Sequence, residues 1–343
     1  MIDPRSKEYI NDDVLCIIET IRKESAIDIT SPETKTNYDA EIRRTIAKLA
    51  ARGHDSPGDF FAALSETRSK ATYYRRRAAT NYFLRSSIAK LLAKLDATTA
   101  DDKIASICKS INFIAELKRL MTTKAGLCQI KDPKARVSKR SMLGSLSKDG
   151  DFREKLYEQF RGSKYQLAFL LAAVSGPRPQ ELQNGLHVRL EGQILSIKII
   201  GSKVKERQGQ EFRVIEYDLG HGSTNFFLSE IVRLIGADAA HGVTVSVASK
   251  VNFTSALRRA GKILWPRKKD VTPYVLRHAI ASQWKQTLDP DDVSIALGHA
   301  SAKTRTRYGQ AQLMRGAGNL SPVSVRGSSP VRSRSQVRSF NIK

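Results

Sequence analysis

The stretch HVRLEGQILSIKIIGSKVKERQGQEFRVIEYDLG (residues 187–220) decides the fold class of this 343-residue chain. Apolar and polar residues alternate in 187–200 and again in 211–220, which is typical of strands that bury one face. The polar loop 201–210 lies between them, so we expect the two strand regions to pair as an antiparallel hairpin with a long turn. We identify no strand pattern before about residue 185, and helical spacing returns after the hairpin. The sequence therefore predicts an α+β fold that is mostly helical, with a small antiparallel β-sheet in its second domain.

Four stretches near the amino terminus have apolar residues at helical spacing: 11–25, 31–53, 69–96 and 101–121. The second of them begins with Ser-Pro and ends with Gly, which are frequent start and stop signals of helices. Residues 1–121 are therefore expected to form an all-helical domain.

Two segments lack this periodicity. Residues 122–150 contain several cations together with Pro and Gly, which is typical of a basic interdomain linker. Residues 316–343 are rich in Ser, Pro, Gly and Arg and contain no acid, which predicts a flexible basic tail. Residues 151–315, in which helical patterns surround the hairpin, are expected to form the second domain.

The chain is strongly basic, since 58 Lys and Arg residues stand against 34 Asp and Glu, for a formal net charge of +24. Such proteins usually bind a polyanion, with nucleic acid as the first candidate and an anionic membrane surface as the second. No apolar run approaches the ~18–20 residues of a membrane span, and the first residues are too polar for a secretory signal. The three cysteines have no metal-ligand spacing and fit a reducing compartment. We therefore expect a cytoplasmic protein associated with DNA or RNA, with no membrane partner.

Two arginines stand in or next to apolar helical segments. Arg277 lies inside TPYVLRHAIASQW (272–284), and Arg178 follows an apolar helix in the turn VSGPRPQEL (174–182), three residues before Glu181. A buried guanidinium is costly unless it meets an anion. For Arg277 the alternative is a salt bridge or a side chain that reaches out to solvent, and for Arg178 it is an ordinary loop arginine held by an acid.

A tyrosine in LGHASAKTRTRYG (297–309) is the third unusual feature. Tyr308 follows the Leu-Gly-His sequence by nine residues, with three cations between them. The plainest explanation is a tyrosine that covers apolar surface beside a solvated basic helix face.

Taken in order, these motifs resemble the three boxes of the tyrosine recombinase (phage integrase) family. GPRPQEL, YVLRHAIAS and LGHASAKTRTRY correspond to them in order and at sensible spacing, over roughly residues 150–312. The helical first domain and the basic linker match the family's core-binding domain only in type. The resemblance implies a C-shaped clamp on DNA, made of this helical domain and a catalytic domain.

The resemblance also implies an activity: a site-specific recombinase or integrase that cuts and rejoins DNA through a 3′-phosphotyrosyl intermediate. Arg178 and Arg277 would grip the phosphate with forked hydrogen bonds. His299 would donate a further hydrogen bond, and Tyr308 would attack phosphorus. The enzyme would act on double-stranded DNA as a homo-tetramer, would need no metal or other cofactor, and could take accessory directionality factors.

Two positions are ambiguous within this resemblance. A lysine of the hairpin would protonate the leaving 5′-oxygen, and Lys203 is favoured over Lys205 because it lies closer to the Gly that ends the strand. Tyr274 stands where many members of the family have His. A neutral phenol is no general base near pH 7, but it can hydrogen-bond the phosphate. How Tyr308 would lose its proton therefore stays open.

Other cations are candidates for contacts with the DNA backbone. The alternative for each cluster is an ordinary solvated face. The candidates lie in the first domain, the linker, the hairpin and the segment before Tyr308: Arg75, Arg76, Arg77, Lys134, Arg136, Lys139, Lys205, Arg207 and Arg305.

Two alternative functions remain. One is a type IB topoisomerase-like DNA strand transferase, which would use the same chemistry without strand exchange. The other is a catalytically decayed, sequence-specific DNA-binding protein, which the unusual Tyr274 keeps under consideration.

Overall fold

A computed structural model of the chain describes residues 8–25, 30–123, 130, 139–149, 152–204, 209–220, 225–236, 240–268, 270–314 and 320–332. The chain divides into two compact units, Met1–Arg136 and Val137–Lys343. The first unit is helical in its described part, and the second combines helices with one antiparallel sheet. The predicted fold class, mostly helical with a small antiparallel sheet, is confirmed.

The first unit contains α1 (Asp12–Ser25), α2 (Pro32–Ala50), α3 (Pro57–Ser65), α4 (Lys70–Asp96) and α5 (Asp101–Thr123). Three of these helices have a serine N-cap whose side chain accepts a hydrogen bond from a backbone N–H of the first turn: Ser31 for α2, Ser56 for α3 and Ser69 for α4. Their apolar faces meet in one core. Our sequence prediction omitted α3, because nine residues are too few for helical spacing to stand out.

The helices of the second unit are α6 (Lys139–Leu146), α7 (Phe152–Glu158), α8 (Gln166–Ser175), α9 (Pro179–Asn184), α10 (Phe226–Ile235), α11 (Lys250–Leu264), α12 (Pro273–Thr287), α13 (Pro290–Ala296) and α14 (Ala302–Arg305). Two of them form the centre of the core. α8 is buried at every position except Leu167, which is partly buried, and α12 is buried at every position from 275 to 284. None of the described helices is long and apolar enough to cross a membrane.

The sheet consists of β1 (Leu186–Glu191), β2 (Ile194–Ile200), β3 (Phe212–Asp218), β4 (Val243–Val245) and β5 (Ser324–Gly327). The strand order is β4-β1-β2-β3-β5, and all four pairings are antiparallel. Alternate residues of β3, namely Arg213, Ile215 and Tyr217, are buried. The inner face of the sheet therefore carries an arginine in a row that is otherwise apolar or aromatic.

Parts of the predicted linker and tail are ordered elements. Within 122–150, residues 139–149 form α6 and a short 3-10 helix, and Met142, Leu143 and Leu146 are buried in the second core. Within 316–343, β5 pairs with β3 along the sheet edge. The composition of these segments did not predict the ordered elements, for two physical reasons. Three apolar residues in α6 are too few to show a helical period, and β5 is an edge strand that is held mainly by backbone hydrogen bonds.

The segment that leads to Tyr308 is also less helical than its sequence predicts. Only α14, a single turn, and a 3-10 helix at Ala311–Met314 are helical in 301–314. α14 ends at Arg305, and Gly309, directly after Tyr308, has a φ of +44°, which is not helical.

Candidate active site

Glu181 is the centre of a buried cluster of charges. Arg178 begins α9, and its backbone N–H donates to Glu181 Oε2 at 2.7 Å while its Nη1 donates to Oε1 at 2.6 Å. Arg213 on β3 donates from Nη2 to Oε2 at 2.8 Å. Burial would raise the pKa of Glu181, but the charge and hydrogen bond of Arg213, with the charges of Arg277 and Arg178, hold it well below its usual range. Glu181 is therefore a carboxylate that fixes two guanidiniums.

Arg277 is completely buried on α12. Its Nη1 donates to the carbonyl of Gly176 at 2.5 Å, and its Nη2 donates to the carbonyl of Leu297. Burial, and then the charge of Arg178, lower the pKa of Arg277 to about 10. The guanidinium is still protonated near pH 7, so the core holds a full positive charge at this point.

Arg178 and Arg277 meet at the turn that follows α13. Arg178 Nη2 lies 3.3 Å from the carbonyl of Gly298, one residue after the carbonyl that Arg277 contacts. Gly298 has a φ of +63°, and an added Cβ would lie 2.8 Å from Arg213 Nη1. A glycine is therefore required where the three arginines crowd this turn. The fold brings residues from α9, β3 and α12 together here.

His299 lies in the same turn and is 3% exposed. Its Nε2 is 3.4 Å from Arg277 Nη2, and its Nδ1 has no hydrogen-bond partner among the described residues. Burial, and then the charges of Arg277, Arg178 and Arg213, lower the pKa of His299 to about 2. The imidazole is therefore neutral at physiological pH, with one nitrogen that can donate a hydrogen bond.

Tyr308 is half-buried against these groups. The centre of its ring lies 4.8 Å from Arg277 Cζ, 5.2 Å from the ring centre of His299 and 5.1 Å from that of His278. The guanidinium over the ring face is a cation–π contact. The structure therefore brings the tyrosine into the group formed by Arg178, Arg277 and His299.

Tyr274 belongs to the same neighbourhood. It lies in the first turn of α12, three residues before Arg277, and is half-buried. Burial, and then Tyr308, raise the pKa of Tyr274, while Arg277 and Arg178 act in the opposite direction. The phenol is therefore protonated near pH 7 and can act as a hydrogen-bond donor.

The favoured lysine of the hairpin, Lys203, lies within the described residues, whereas the alternative, Lys205, does not. Lys203 is exposed in the turn after β2, and none of its described contacts reaches Arg178, Arg277 or His299. Lys205 and Arg207 lie in 205–208, outside the described residues. The choice between Lys203 and Lys205 therefore stays as the sequence left it.

The arginines of α4 differ in whether their guanidiniums are exposed or hydrogen-bonded to other helices of the first unit. Arg75 is 56% exposed and forms an ion pair with Glu41 at 3.1 Å. Arg76 Nη1 donates to the carbonyl of Ala63 at 3.0 Å, and Arg77 Nη2 donates to that of Met121 at 2.9 Å. These two guanidiniums tie helices together, so Arg75 is the one most available to a partner.

The remaining predicted DNA contacts cannot be placed. Residues outside the described part of the chain, or with side chains outside it, are Lys134, Arg136, Lys139 and Arg305.

Sequence reasoning did not identify Arg213 and Gln210 as residues of the site. Gln210 is buried, and its Nε2 donates to the carbonyl of His299 at 3.2 Å and to that of Ser329 at 2.8 Å. Arg213 had a detectable signal, because it alternates with Ile215 and Tyr217 and therefore lies on the buried face of its strand. Gln210 had none, because its partners are 89 and 119 residues away in sequence.

The cluster has more positive than negative charge. Three guanidiniums, those of Arg178, Arg213 and Arg277, surround the single carboxylate of Glu181. In the described part of the chain, no partner accepts from Arg277 Nε or from Arg213 Nε and Nη1. Buried positive charge in excess, with unused donors, is suited to an anion. Among the same residues, no group of three or more His, Cys, Asp or Glu is arranged to hold a metal ion.

No protein-family model and no curated protein matches the chain. Among solved structures, the chain is similar to the XerH site-specific recombinase bound to the difH substrate in a pre-cleavage complex, at 16% identity, covering 90% of this chain and 93% of that chain, with a TM-score of 0.36. It is also similar to the XerA recombinase, at 17% identity, covering 96% of this chain and 97% of that chain, with a TM-score of 0.33. Because these scores are below 0.5, the likeness carries no weight for function, and the proposed function rests on the site itself.

Proposed function

We propose that the protein is a site-specific DNA recombinase that cuts and rejoins DNA through a 3′-phosphotyrosyl intermediate. The observation that supports this most is the buried excess of guanidinium charge with Tyr308 packed directly on Arg277. A phosphodiester is an anion whose negative charge grows on its non-bridging oxygens as it reacts. A pocket with unused guanidinium donors stabilises that charge more than it stabilises the ground state.

In the proposed reaction Arg178 and Arg277 bind the non-bridging oxygens, and His299 donates a hydrogen bond as a neutral imidazole. The Tyr308 hydroxyl releases its proton to water, and its oxygen forms a bond to phosphorus as the bond from phosphorus to the 5′-oxygen breaks. The 5′-oxygen keeps the electron pair and takes a proton from Lys203 or Lys205. Resealing is the reverse attack by the 5′-hydroxyl, so the energy of the broken phosphodiester bond is retained and no ATP is required.

Tyr274 is proposed as a further hydrogen-bond donor to the phosphate. Its raised pKa keeps the phenol protonated, which excludes it as the base that takes the proton of Tyr308 near neutral pH.

The first unit is proposed to bind DNA beside the site, with Arg75 as one contact to the backbone. The net charge of +24 supports DNA as the partner. Recombination joins two DNA sites and four strands, so the proposed working state is a homo-tetramer on DNA in the cytoplasm.

Covalent capture tests this function. The protein is incubated with nicked duplexes of random sequence, which trap a 3′-phosphotyrosyl enzyme because the short 5′-strand diffuses away, and the trapped DNA is sequenced. Wild type and Tyr74→Phe, whose tyrosine is exposed on α4, should give a covalent band. Tyr308→Phe should give none, and Arg178→Lys or Arg277→Lys should slow the reaction about 10²–10³-fold.

The same experiment separates the alternatives. DNA binding without any covalent band would contradict the enzyme and favour a DNA-binding protein. Covalent bands with relaxation of supercoiled plasmid, but without exchange between two copies of the captured site, would favour a topoisomerase-like enzyme instead.

A further inference from the structure

The backbone of Tyr308 and Gly309 is held by one face of α12. His278, Ser282 and Lys285 follow each other at intervals of four and three residues, so they share this face. All three are buried or half-buried, and all three contact the two residues at the tyrosine turn. The proposed chemistry assigns no role to any of them.

Two side chains bind the polar backbone groups of the turn. Gly309 N–H donates to His278 Nδ1 at 3.0 Å. Lys285 Nζ donates to the carbonyl of Gly309 at 2.9 Å and also to the carbonyl of Tyr308. The turn is therefore held at one amide and two carbonyls, all on residue 308 or 309.

Gly309 fits this face so closely that a side chain has no room. Its φ is +44°, and an added Cβ would lie 2.5 Å from Ser282 Oγ, 2.7 Å from Ser282 N and 2.8 Å from the carbonyl oxygen of His278. The glycine therefore permits both the left-handed conformation and the close approach to α12.

The local sequence does little to fix this turn. The helix before Tyr308, α14, has only four residues, and a helix this short is unstable without tertiary contacts. The contacts with α12 therefore determine where the Tyr308 ring lies relative to Arg277, which is on the same helix.

We propose that His278, Ser282 and Lys285 form a dock that positions the nucleophile by its backbone. The proposal rests on the function proposed above, with Tyr308 as the attacking group. The three are positioning residues: His278 and Lys285 hydrogen-bond the backbone of the turn, Ser282 packs against Gly309, and the His278 ring also packs against the Tyr308 ring. Because His278 Nδ1 accepts a hydrogen bond, it acts as an acceptor that an oxygen of similar position could replace.

Substitutions at His278 and Gly309 test the dock. His278→Leu removes the acceptor, whereas His278→Asn places Oδ1 close to the position of Nδ1. Gly309→Ala leaves every polar group in place but blocks the close approach. His187→Leu, at an exposed position on β1, is the matched control.

All measurements are made on the full-length protein. Without DNA, the rate of tryptic cleavage after Arg307, which is exposed, reports opening of the turn. With captured DNA, single-turnover covalent-complex formation and DNA affinity are measured separately, and circular dichroism verifies folding. We expect His278→Leu and Gly309→Ala to be cleaved faster and to form the covalent complex about 10-fold more slowly, with DNA affinity within about twofold. For His278→Leu this is the effect of one lost buried hydrogen bond, and for Gly309→Ala it is the effect of a side chain that pushes the turn away from α12. His278→Asn should recover most of the loss, and His187→Leu should match wild type.

Three outcomes are decisive. Wild-type protease resistance and wild-type rate in folded His278→Leu and Gly309→Ala would overturn the dock. Equal loss in His278→Leu and His278→Asn would reduce His278 to a packing residue, which also contradicts it. If wild type forms no covalent complex, the proposed function fails, while tryptic cleavage still measures whether these residues hold the turn.

Discussion

At the scale of the single residue, His299 shows how the surroundings determine protonation. Three guanidiniums and almost complete burial act in the same direction, and they lower the pKa of this imidazole to about 2. Glu181, in the same cluster, is held ionised by the same arginines. One group of cations thus sets two protonation states, a neutral donor and a carboxylate.

The lowered pKa of His299 predicts a dependence of stability on pH. The unfolded chain takes up this proton below about pH 6.5, while the folded protein does not, so the folded state loses about 1.4 kcal/mol per pH unit below that value. Between pH 7.5 and pH 5, this residue should lower the free energy of unfolding by about 2 kcal/mol.

Urea unfolding at several pH values measures this effect. Replacing His299 with Gln should remove that part of the pH dependence, and His187→Leu should leave it in place. An equal slope in wild type and His299→Gln between pH 5 and 6.5 would contradict a neutral buried His299.

At the scale of the element, the junction between α8 and α12 positions Arg277. Gly176 ends α8 with a φ of +54°, and its carbonyl accepts from Arg277 Nη1. An added Cβ would lie 2.7 Å from Ile280 Cγ2 and 3.4 Å from Arg277 Cα. The close contact of the two helices therefore determines where this guanidinium lies.

Gly176→Ala should destabilise the protein by about 2–5 kcal/mol, the sum of a left-handed alanine and an overpacked contact. It should also slow covalent-complex formation, because the carbonyl that holds Arg277 moves. The matched variant is Gly162→Ala, which has a φ of +72° with nothing within 4 Å of the added Cβ. It should cost only about 1–2 kcal/mol and leave the rate unchanged. Thermal melts and single-turnover rates compare the two, and equal losses of stability would show that the α8–α12 contact adds no strain.

At the scale of the whole molecule, the charge of +24 predicts DNA binding that depends steeply on salt. If six to ten phosphates are contacted, affinity should fall about 10³–10⁵-fold between 50 and 200 mM salt. Fluorescence anisotropy on a duplex measures this affinity at each salt concentration.

Two arginine variants of α4 test the same prediction. Arg75→Gln should reduce the slope of log K against log salt by about 1. Arg76→Gln should leave the slope unchanged and lower the melting temperature, because its guanidinium is bound inside the first unit. A shallow slope for wild type would contradict a phosphate-contacting surface.

The sequence by itself determined the mostly helical α+β class and the hairpin around 201–210. It also singled out Arg178, Arg277, His299 and Tyr308 as candidate site residues. These depend on local patterns: alternation, helical spacing and polar residues inside apolar runs. Only the tertiary structure decided that these side chains meet at one turn, that Arg213 shares Glu181 with Arg178, and that α12 holds Gly309. The physical reason is that such contacts join residues about 30 to 120 positions apart, and a pattern within a window of sequence carries no information about where the chain returns.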